Sequence, residues 1–461
     1  MKQRLLNILS TAVLLPALLL AGCDKYLDVK NSSSTIIPNR VSELEAIMDN
    51  PAVVALNSIP AQQERISDYS ILTPDAFAAL SDEERNEYLF NVQPEDLTVS
   101  STWTSAYKKI FSCNVVLDLL PTVKDGLTQR GLQLKGHALY YRGFTHFMLL
   151  EHFSMPYNKE TADKDPGIPI KKNPAEGDKT VRSTVAGSYK SILEDLDEAV
   201  RLLPAREPLL TRPDKLAAHA VLARIYLVRG EYDKARDHAS EVLSVTSYVD
   251  DYNTRDLGLP LPFNYNMEEI IIPHSGVGPM FSDPRKSLVT PAFYQSYDED
   301  DLRKTGLFTV NAPDNIVFKG SYTGWVSAAM FVGTTVPEML LIRAECWARG
   351  GDADKAMKDL NDLLQHRYKK EHFQLRTASG ADDALMQVIT ERKKELPFRG
   401  LRAMDLRRLG NDPRFAVTLE RTITVNGQTF TATLRPGSNR YALPIPKTVI
   451  DLTGIEQNNL K

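Results

Sequence analysis

Two similar stretches decide the fold: ARIYLVRGEYDKARDHA at residues 223–239 and AECWARGGDADKAMKDL at residues 344–360. In each stretch an alanine precedes an aromatic residue by three positions and a second alanine by twelve, with a glycine between. Small residues at these points let two antiparallel helices approach closely, and the glycine-containing turn reverses the chain. The pattern predicts tetratricopeptide-like helix–turn–helix units, which bury a shared core when they stack.

Regular helical spacing continues on the N-terminal side of these stretches. Apolar residues recur on one helix face from near Val41, from about Thr102 to Leu120, and from Leu132 to about Phe153. A helix near residues 184–200 would add to the repeat. The sequence therefore predicts a mainly α-helical fold with a tetratricopeptide-like helical-repeat base.

Two parts of the chain lack this spacing. Residues 246–335 carry many Pro, Gly, Asn and aromatic residues, which predicts long loops with a few short strands. Residues 51–100 are broken by prolines and small polar residues, which predicts loops. Near the end, Asn426-Gly427 separates two alternating runs in RTITVNGQTFTAT (residues 421–433), which predicts a hairpin with a type I′ turn. Because long ordered loops on a rigid scaffold commonly carry function, we expect a loop-rich functional face.

The N-terminus has the pattern of a bacterial lipoprotein. Lys2 and Arg4 precede an apolar run that Pro16 interrupts, and the letters LAGC end at Cys23. A run this short predicts a signal peptide and not a membrane-spanning helix. The LAGC string resembles a lipobox, which implies cleavage before Cys23 and lipidation of that residue. The alternative is an ordinary secretory signal that ends near a cysteine.

These features predict three parts of the chain. Residues 1–22 form the signal peptide, residues 23–40 the lipidated cysteine and its tether, and residues 41–461 a single helical domain. No other segment approaches the ~20 apolar residues that a transmembrane helix needs. The protein is therefore expected to be tethered to a membrane and not embedded in it.

The composition excludes a nucleic-acid-binding protein and favours a globular one. The 461 residues are 43% hydrophobic and 25% charged, and the formal net charge of −4 is too small to suggest a nucleic-acid surface. Besides Cys23, the chain has only Cys113 and Cys346. Both lie in amphipathic helical patterns, which predicts buried free thiols instead of a disulfide or metal site.

Several motifs, in order along nearly the whole mature chain, resemble the SusD/RagB family of outer-membrane lipoproteins. The family's N-terminal motif and early helix match CDKYLDVK (23–30) and WTSAYKKIFSCN (103–114). A later helix matches RSTVAGSYKSILEDLDEA (182–199), with Thr184 at its N-cap position. The most specific match is ERKKELPFRGLRAMDLRRLG (391–410), where Arg399 replaces a commonly acidic residue, and YALPIPKTVI (441–450) resembles the family's ending.

The resemblance implies a role in nutrient uptake. Its helical base would dock on a TonB-dependent β-barrel transporter of the SusC kind, and its opposite, loop-built face would capture an oligosaccharide or, as in some members, a peptide. It also implies a lipid-anchored, surface-exposed position on the outer membrane. We place the ligand face approximately at residues 246–335, with a contribution from residues 51–100.

Sugar binding requires flat apolar faces beside polar groups, and a few aromatic loop residues are candidates. For Trp325 and Tyr322, in KGSYTGWVS (319–327), an exposed binding role competes with filling the loop core. The further candidates are Asp68 and Tyr69 and, more weakly, Tyr265 and Phe263; Trp103 is also a candidate, although its helical spacing with Tyr107 favours core packing. A side chain buried among apolar neighbours would argue against each of these roles.

Neither catalysis nor a metal or other cofactor is expected. Glu395 and Asp405 could suggest acid–base chemistry, but structural ion pairs among Glu395, Arg402 and Asp405 are favoured because arginine supplies fixed bidentate partners. The acidic run Asp298–Asp301 lacks the glycine spacing of a calcium loop, and we expect a solvated charge run there.

Three functions remain open at this stage. The leading hypothesis is a non-catalytic lipoprotein that captures nutrient and delivers it to the transporter. The first alternative is a helical-repeat scaffold that holds envelope proteins together and binds no nutrient. The second is a lipid-anchored glycosidase, which would need two carboxylates about 5–10 Å apart across a cleft.

Overall fold

The computed structural model describes residues 38–460, apart from residues 51–58, Thr98, Glu176 and Asp178. The predicted signal peptide (1–22), Cys23 and nearly all of the predicted tether (23–40) therefore lie outside the described residues. The residues from Arg40 onward form one compact unit, to which the following description refers.

Helices make up most of the regular structure. The first eight are α1 (Val41–Met48), α2 (Pro74–Ala78), α3 (Asp82–Tyr88), α4 (Ser101–Leu119), α5 (Gln129–Phe153), α6 (Val185–Leu202), α7 (Lys215–Val228) and α8 (Tyr232–Val245). The others are α9 (Pro291–Gln295), α10 (Arg303–Leu307), α11 (Val336–Arg349), α12 (Ala353–Leu364), α13 (Ala381–Glu395), α14 (Arg402–Leu409) and α15 (Lys447–Thr453).

The two repeated stretches form the predicted helix–turn–helix units, α7–α8 and α11–α12. Gly230 and Gly351 lie in their turns with φ of +72° and +87°, a region that side-chain-bearing residues enter only at a cost. Ala223 and Ala235 are fully buried where the first pair meets, as are Ala344 and Ala356 in the second. Helix α8 packs against α11, so the two units stack. The tetratricopeptide-like base is confirmed.

Helices nearer the N-terminus extend this base. The predicted helices from Val41, Thr102 and Leu132 correspond to α1, α4 and α5, whose observed starts differ by no more than a few residues. Helix α5 is the central element, because α1, α4 and α6 pack around it and almost every residue in its second half is buried. Thr184 caps α6 as predicted, since its Oγ1 accepts a hydrogen bond from Gly187 N at 3.0 Å.

The region from residue 51 to residue 100 contains more helix than we predicted. Within its described part, α2 begins after Thr73, whose Oγ1 accepts from Ala76 N at 3.2 Å. Helix α3 begins with a capping box between Ser81 and Glu84. Such a box satisfies two otherwise unpaired N–H groups at a helix start, so it makes even a short helix stable. The prediction of loops alone was wrong here.

Residues 246–335 are largely irregular as predicted and contain the short strands β2 to β8. The strands of the described chain are β1 (Ser70–Leu72), β2 (Ile270–Ile272), β3 (Ser275–Val277), β4 (Ser287–Val289), β5 (Phe308–Ala312), β6 (Asn315–Phe318), β7 (Ala329–Phe331), β8 (Thr334–Thr335), β9 (Leu419–Val425) and β10 (Gln428–Leu434). They form antiparallel two-stranded pairs, β1–β4, β2–β8, β3–β7, β5–β6 and β9–β10. The β1–β4 pair joins the two predicted loop regions, with Ser70 opposite Val289.

The β9–β10 hairpin has the predicted turn. Asn426 and Gly427 both have positive φ, +50° and +79°, as a type I′ turn requires. The register runs from Gln428 opposite Val425 to Leu434 opposite Leu419.

Two further predictions concern the cysteines and the membrane. Cys113 on α4 and Cys346 on α11 are buried free thiols, as predicted. Across the described part of the chain, every helix is too short or too polar to cross a lipid bilayer.

Candidate functional site

Trp325 is the most exposed tryptophan candidate, with 59% of its surface open to solvent. It lies in the turn between β6 and β7, where Gly324 has a φ of +74°. Thr323 Oγ1 accepts a hydrogen bond from Trp325 N at 3.3 Å and lies 3.4 Å from Trp325 O. The Thr323 side chain thus bridges the turn, which leaves the Trp325 indole at the surface.

A narrow groove, here called the indole groove, runs beside Trp325. Its wall combines apolar side chains with three serine hydroxyl groups. The lining residues are Ser282, Pro284, Phe318, Lys319, Ser321, Trp325, Val326, Ser327, Ala329, Met330 and Phe398. None of these lining residues is acidic. An indole beside serine hydroxyls can contact the C–H face of a sugar and bond its hydroxyl groups at the same time.

Tyr265 supports the indole from the side. Its ring and that of Trp325 meet edge to face, with centroids 6.0 Å apart and planes at 82°. The structure therefore brings together two of the predicted ligand residues, which come from separate loops. Their role in ligand binding stays a prediction.

Tyr322 fills the loop core beneath the indole groove and does not reach its surface. Only 1% of its surface is exposed. Its hydroxyl donates to Glu269 and lies 3.0 Å from the Tyr252 hydroxyl. Burial and the neighbouring Glu269 carboxylate raise the pKa of Tyr322 well above its usual value, so the phenol keeps its proton. Tyr322 is therefore corrected from a ligand candidate to a support of the Trp325 turn.

Arg399, the residue that departs from the family pattern, completes this support. Its guanidinium lies 4.1 Å from the centre of the Tyr322 ring and 5.4 Å from that of Phe331. The side chain is buried, and its Nη1 lies 3.4 Å from Thr335 Oγ1. A cation over an aromatic face is stabilising when both are removed from water, so the basic residue has a packing role here.

Asp68 and Tyr69 connect the loops to α13 and α14, Asp68 through ion pairs and Tyr69 through a buried ring. Arg402 Nε bonds Asp68 Oδ1 at 2.9 Å, and Lys393 Nζ bonds Asp68 Oδ2 at 2.6 Å. Burial by itself would raise the pKa of Asp68, but Arg402 and Lys393 hold it well below its usual value. Tyr69 is buried, and its ring centre lies 4.6 Å from that of Phe293. Both candidates are corrected to structural residues.

Two more aromatic candidates are buried. Trp103 is packed between Tyr107 and Phe153, with ring centres 4.8 and 4.9 Å away, in agreement with the favoured core position. Phe263 is fully buried beneath Tyr252 and Tyr322. Neither offers a free ring face to a ligand.

The charged stretch 391–410 forms structural ion pairs, but with partners other than those predicted. Glu395 pairs with Arg367 at 2.9 Å and Arg303 at 3.1 Å. Burial would raise the pKa of Glu395, but the two guanidinium groups lower it. Asp405 pairs with Arg392 and Arg408, each at 2.9 Å, and Arg402 with Asp68. The predicted pairing of Glu395, Arg402 and Asp405 with one another was wrong.

The acidic run Asp298–Asp301 is only partly solvated. Asp301 is buried and pairs with Arg303 at 2.7 Å. The others lie nearer the surface, and Asp298 accepts a hydrogen bond from the Tyr368 hydroxyl at 2.6 Å. The predicted charge run is wrong at Asp301, because Arg303 neutralises it in the interior. Within the described residues, no group of three or more His, Cys, Asp or Glu side chains could hold a metal ion.

Two family models match this chain, one in its N-terminal half and one in its C-terminal part. A SusD-like family model, described as "Starch-binding associating with outer membrane", matches residues 25–227. The SusD_RagB model, described as "SusD family", matches residues 319–460. The curated "SusD-like protein P2" of Formosa agariphila is 27% identical over 157 residues. That match covers 34% of this chain and 29% of the relative.

Solved structures with this fold include three from Bacteroides. A SusD superfamily protein of B. thetaiotaomicron has a TM-score of 0.70 at 21% identity and covers 91% of this chain and 98% of its own. A SusD-like carbohydrate binding protein of B. vulgatus has a TM-score of 0.69 at 19% identity, covering 90% and 97%. Surface glycan-binding protein A of B. uniformis has 0.68 at 17%, covering 91% and 99%. At these identities the likeness establishes the fold.

Proposed function

This chain belongs to the SusD/RagB family, and from that premise we propose that it is a non-catalytic surface protein that captures an oligosaccharide and delivers it to an outer-membrane transporter. The observation that carries the proposal is the exposed indole of Trp325 beside a hydroxyl-lined groove. The turn holds the apolar indole in water, which is unfavourable. A pyranose ring that covers the indole removes this exposure.

The loops form the capture surface in this proposal. Residues 246–335 supply the indole groove except for Phe398, and the described residues between 59 and 97 join them through the β1–β4 pair. The family resemblance implies that the helical base lies opposite these loops. In this proposal the base docks on a TonB-dependent β-barrel transporter of the SusC kind. Lipidation of Cys23 would hold the protein on the outer membrane beside that partner.

A binding role is also favoured over catalysis. The two carboxylates first considered for acid–base chemistry, Glu395 and Asp405, are buried among arginine side chains. A glycosidase needs one carboxyl group that can give up a proton to substrate and another that faces it across a cleft. Buried carboxylates fixed in ion pairs do not meet that need.

The first experiment tests ligand capture at Trp325. We expect Trp325→Ala to weaken binding at the indole groove at least tenfold, which corresponds to about 1.4 kcal/mol. Isothermal titration would use a panel of neutral hexasaccharides: maltohexaose, cellohexaose, xylohexaose and mannohexaose. Tyr248→Ala, which removes a half-exposed tyrosine outside the groove lining, is the matched control and leaves affinity unchanged.

The second experiment tests the partner. The lipidated protein would be extracted from native membranes in mild detergent, and its companions identified by mass spectrometry. Recovery of a TonB-dependent barrel in equal amount, lost when Cys23→Ala releases the protein from the membrane, is the expected result. Recovery with other envelope proteins and without a barrel would favour the scaffold function instead. Oligopeptide binding that requires Trp325, with no binding of any hexasaccharide, would change the ligand class to peptide.

A further inference from the structure

A second cleft lies among the helix ends, apart from the indole groove. It is bounded by residues 155–165, residues 227–232, residues 407–411 and residues 437–441, and we call it the helix-end cleft. Its volume is about 480 Å³, against about 10 Å³ for the indole groove. The two share no lining residue.

Three helices end at this cleft. Helix α5 ends at Phe153, α7 at Val228 and α14 at Leu409, directly before or within the bounding segments. The C-terminal end of a helix carries carbonyl groups without partners in the helix and a partial negative charge. Arg407 offsets part of this charge, since it donates from Nη2 to Ser154 O at 3.0 Å and from Nη1 to Tyr441 O at 3.3 Å.

Each arginine of the cleft wall already has a carboxylate partner. Arg229 pairs with Glu231 at 2.6 Å, and Arg407 lies 3.4 Å from Glu151. Arg408 pairs with Glu345 at 2.6 Å and with Asp405 at 2.9 Å. These carboxylates already balance the charge of the arginines, so the wall does not favour a strongly charged ligand.

Hydrogen-bonding atoms nevertheless remain without a partner. In the described residues, the Tyr441 hydroxyl and Arg229 Nε are buried and make no hydrogen bond. Tyr441 itself is 1% exposed, and burial raises its pKa, so its hydroxyl stays protonated and can both donate and accept. Leaving such groups unpaired costs free energy, which a ligand or water that reaches them would recover.

Aromatic rings and amide groups lie closer to solvent. Tyr157 and Tyr232 are half-buried, and Asn158 and Asn411 are exposed. The Arg229 guanidinium lies 4.9 Å from the Tyr157 ring centre, and that of Arg349 lies 4.6 Å from the Tyr232 ring centre. These contacts fix the two rings, so the cleft presents oriented aromatic groups next to amides.

We propose that the helix-end cleft is a second saccharide site, for a neutral, hydroxyl-rich ligand. This inference rests on the proposed function, because it assigns the same ligand class to a separate surface. A hydroxyl group both donates and accepts, so it can bond the arginine and amide donors and the carbonyl and carboxylate acceptors of one wall. Fixed tyrosine rings supply the apolar contact that a pyranose needs. Binding at two sites on one protein would increase the retention of a long glycan.

The test separates the two sites by substitution. Asn411→Trp places an indole in the helix-end cleft at an exposed position and blocks it, whereas Trp325→Ala disables the indole groove. Isothermal titration with the panel of four neutral hexasaccharides, and with hexagalacturonate as an anionic comparison, would be run on each variant and on the double variant. Leu127→Trp, at an 80% exposed position outside both linings, is the matched control.

The expected result is two binding events for the wild type with at least one neutral hexasaccharide. Trp325→Ala and Asn411→Trp each remove a different one, with at least a tenfold loss of affinity, and the double variant binds none. A Trp325→Ala protein that binds no hexasaccharide, or an Asn411→Trp protein that binds as the wild type does, would overturn the second site and leave the proposed function standing. Preferential binding of hexagalacturonate at the cleft would overturn the neutral ligand class.

The opposite failure is also distinguishable. If Asn411→Trp removes all binding and Trp325→Ala removes none, the cleft is a saccharide site and the proposed role of the indole groove is wrong. If the wild type binds none of the neutral hexasaccharides, both proposals fall.

Discussion

Glu64 is a buried carboxyl group at the point where the loops meet the segment between α13 and α14. Gly400 N donates a hydrogen bond to its Oε2 at 3.1 Å, and only 1% of the residue is exposed. Burial raises the pKa of Glu64 from 4.5 to about 8, although the Gly400 and Ser67 contacts act in the opposite direction. A charge there costs desolvation energy, so the folded protein holds a proton that the unfolded chain releases.

The stability of the protein should therefore fall as pH rises between about 4.5 and 8 through this residue. In that window the folded state binds more protons than the unfolded state, which makes the slope of unfolding free energy against pH negative. Glu64→Gln lacks this loss. We therefore expect the unfolding free energy of the variant, relative to that of the wild type, to rise by roughly 1 kcal/mol per pH unit in this window. Urea denaturation at pH 5, 6, 7 and 8 would measure it.

The matched control is Glu160→Gln, which changes an exposed carboxyl group in the same way. It should leave the pH profile of stability as it is in the wild type. A Glu64→Gln profile parallel to that of the wild type would contradict the assignment of a proton to Glu64.

At the scale of elements, the turns of the two repeat units depend on backbone geometry that only glycine adopts freely. Gly351 has a φ of +87°, and a Cβ added there would meet no atom within 4 Å, so the cost of a side chain is conformational alone. We expect Gly351→Ala to destabilise the protein by about 1 kcal/mol. Thermal or urea unfolding would measure the loss.

Gly380 provides the control for this substitution. It too has open space around its Cα, but its φ of 169° is extended backbone that any residue adopts. Gly380→Ala should therefore be neutral or slightly stabilising, because it restricts the unfolded chain. Equal losses at both positions would exclude the turn geometry as the cause.

The elements that could be predicted are those whose signal is local. The repeat turns, the Asn426-Gly427 hairpin and the long helices each have a pattern within about twenty residues, and each was found. Helices α2 and α3 were missed because five to seven residues are too few for hydrophobic periodicity. Their caps, Thr73 and Ser81 with Glu84, were readable signals of helix starts.

Across the whole molecule, a buried charge network joins the loops to the helical repeat. Arg367, after α12, is fully buried and pairs with Glu269, before β2, and with Glu395, on α13. Arg303 on α10 links Glu395 to Glu391 and Asp301. Arg367 is 28 residues from Glu395 and 98 residues from Glu269 in the sequence. Sequence analysis found ion pairs but not these partners, because no local spacing encodes contacts between distant segments.

Removing the centre of this network should be costly. Arg367→Met leaves the buried Glu269 and Glu395 carboxylates without their shared cation, and we expect a loss of about 3–5 kcal/mol in unfolding free energy. Arg414→Met is the control, since the Arg414 side chain is 42% exposed and its ion pairs are screened by water. Urea denaturation of both variants would compare them, and a loss below 1 kcal/mol for Arg367→Met would contradict the role assigned to the network.

The candidate site was predicted only in part for the same reason. Trp325 was identified because it lies in a glycine-containing loop, where an aromatic ring can offer a flat apolar face to a sugar. Tyr322 and Tyr69 also lie in loop-like sequence, but both are buried by contacts with distant segments. Tyr322 contacts Glu269, and Tyr69 contacts Phe293. The helix-end cleft was missed entirely, since its wall comes from four separate segments.

The turn that carries Trp325 is fixed from below, through Tyr322, by Glu269 and so by Arg367. A surface held in this way has little conformational entropy to lose when a ligand arrives, so most of the contact energy is available as affinity. Its binding enthalpy and heat capacity should then reflect the ligand and the displaced water more than any ordering of protein. If the protein delivers its ligand to a transporter as proposed, a stiff surface means that dissociation depends on competition from the transporter and not on unfolding of the loop.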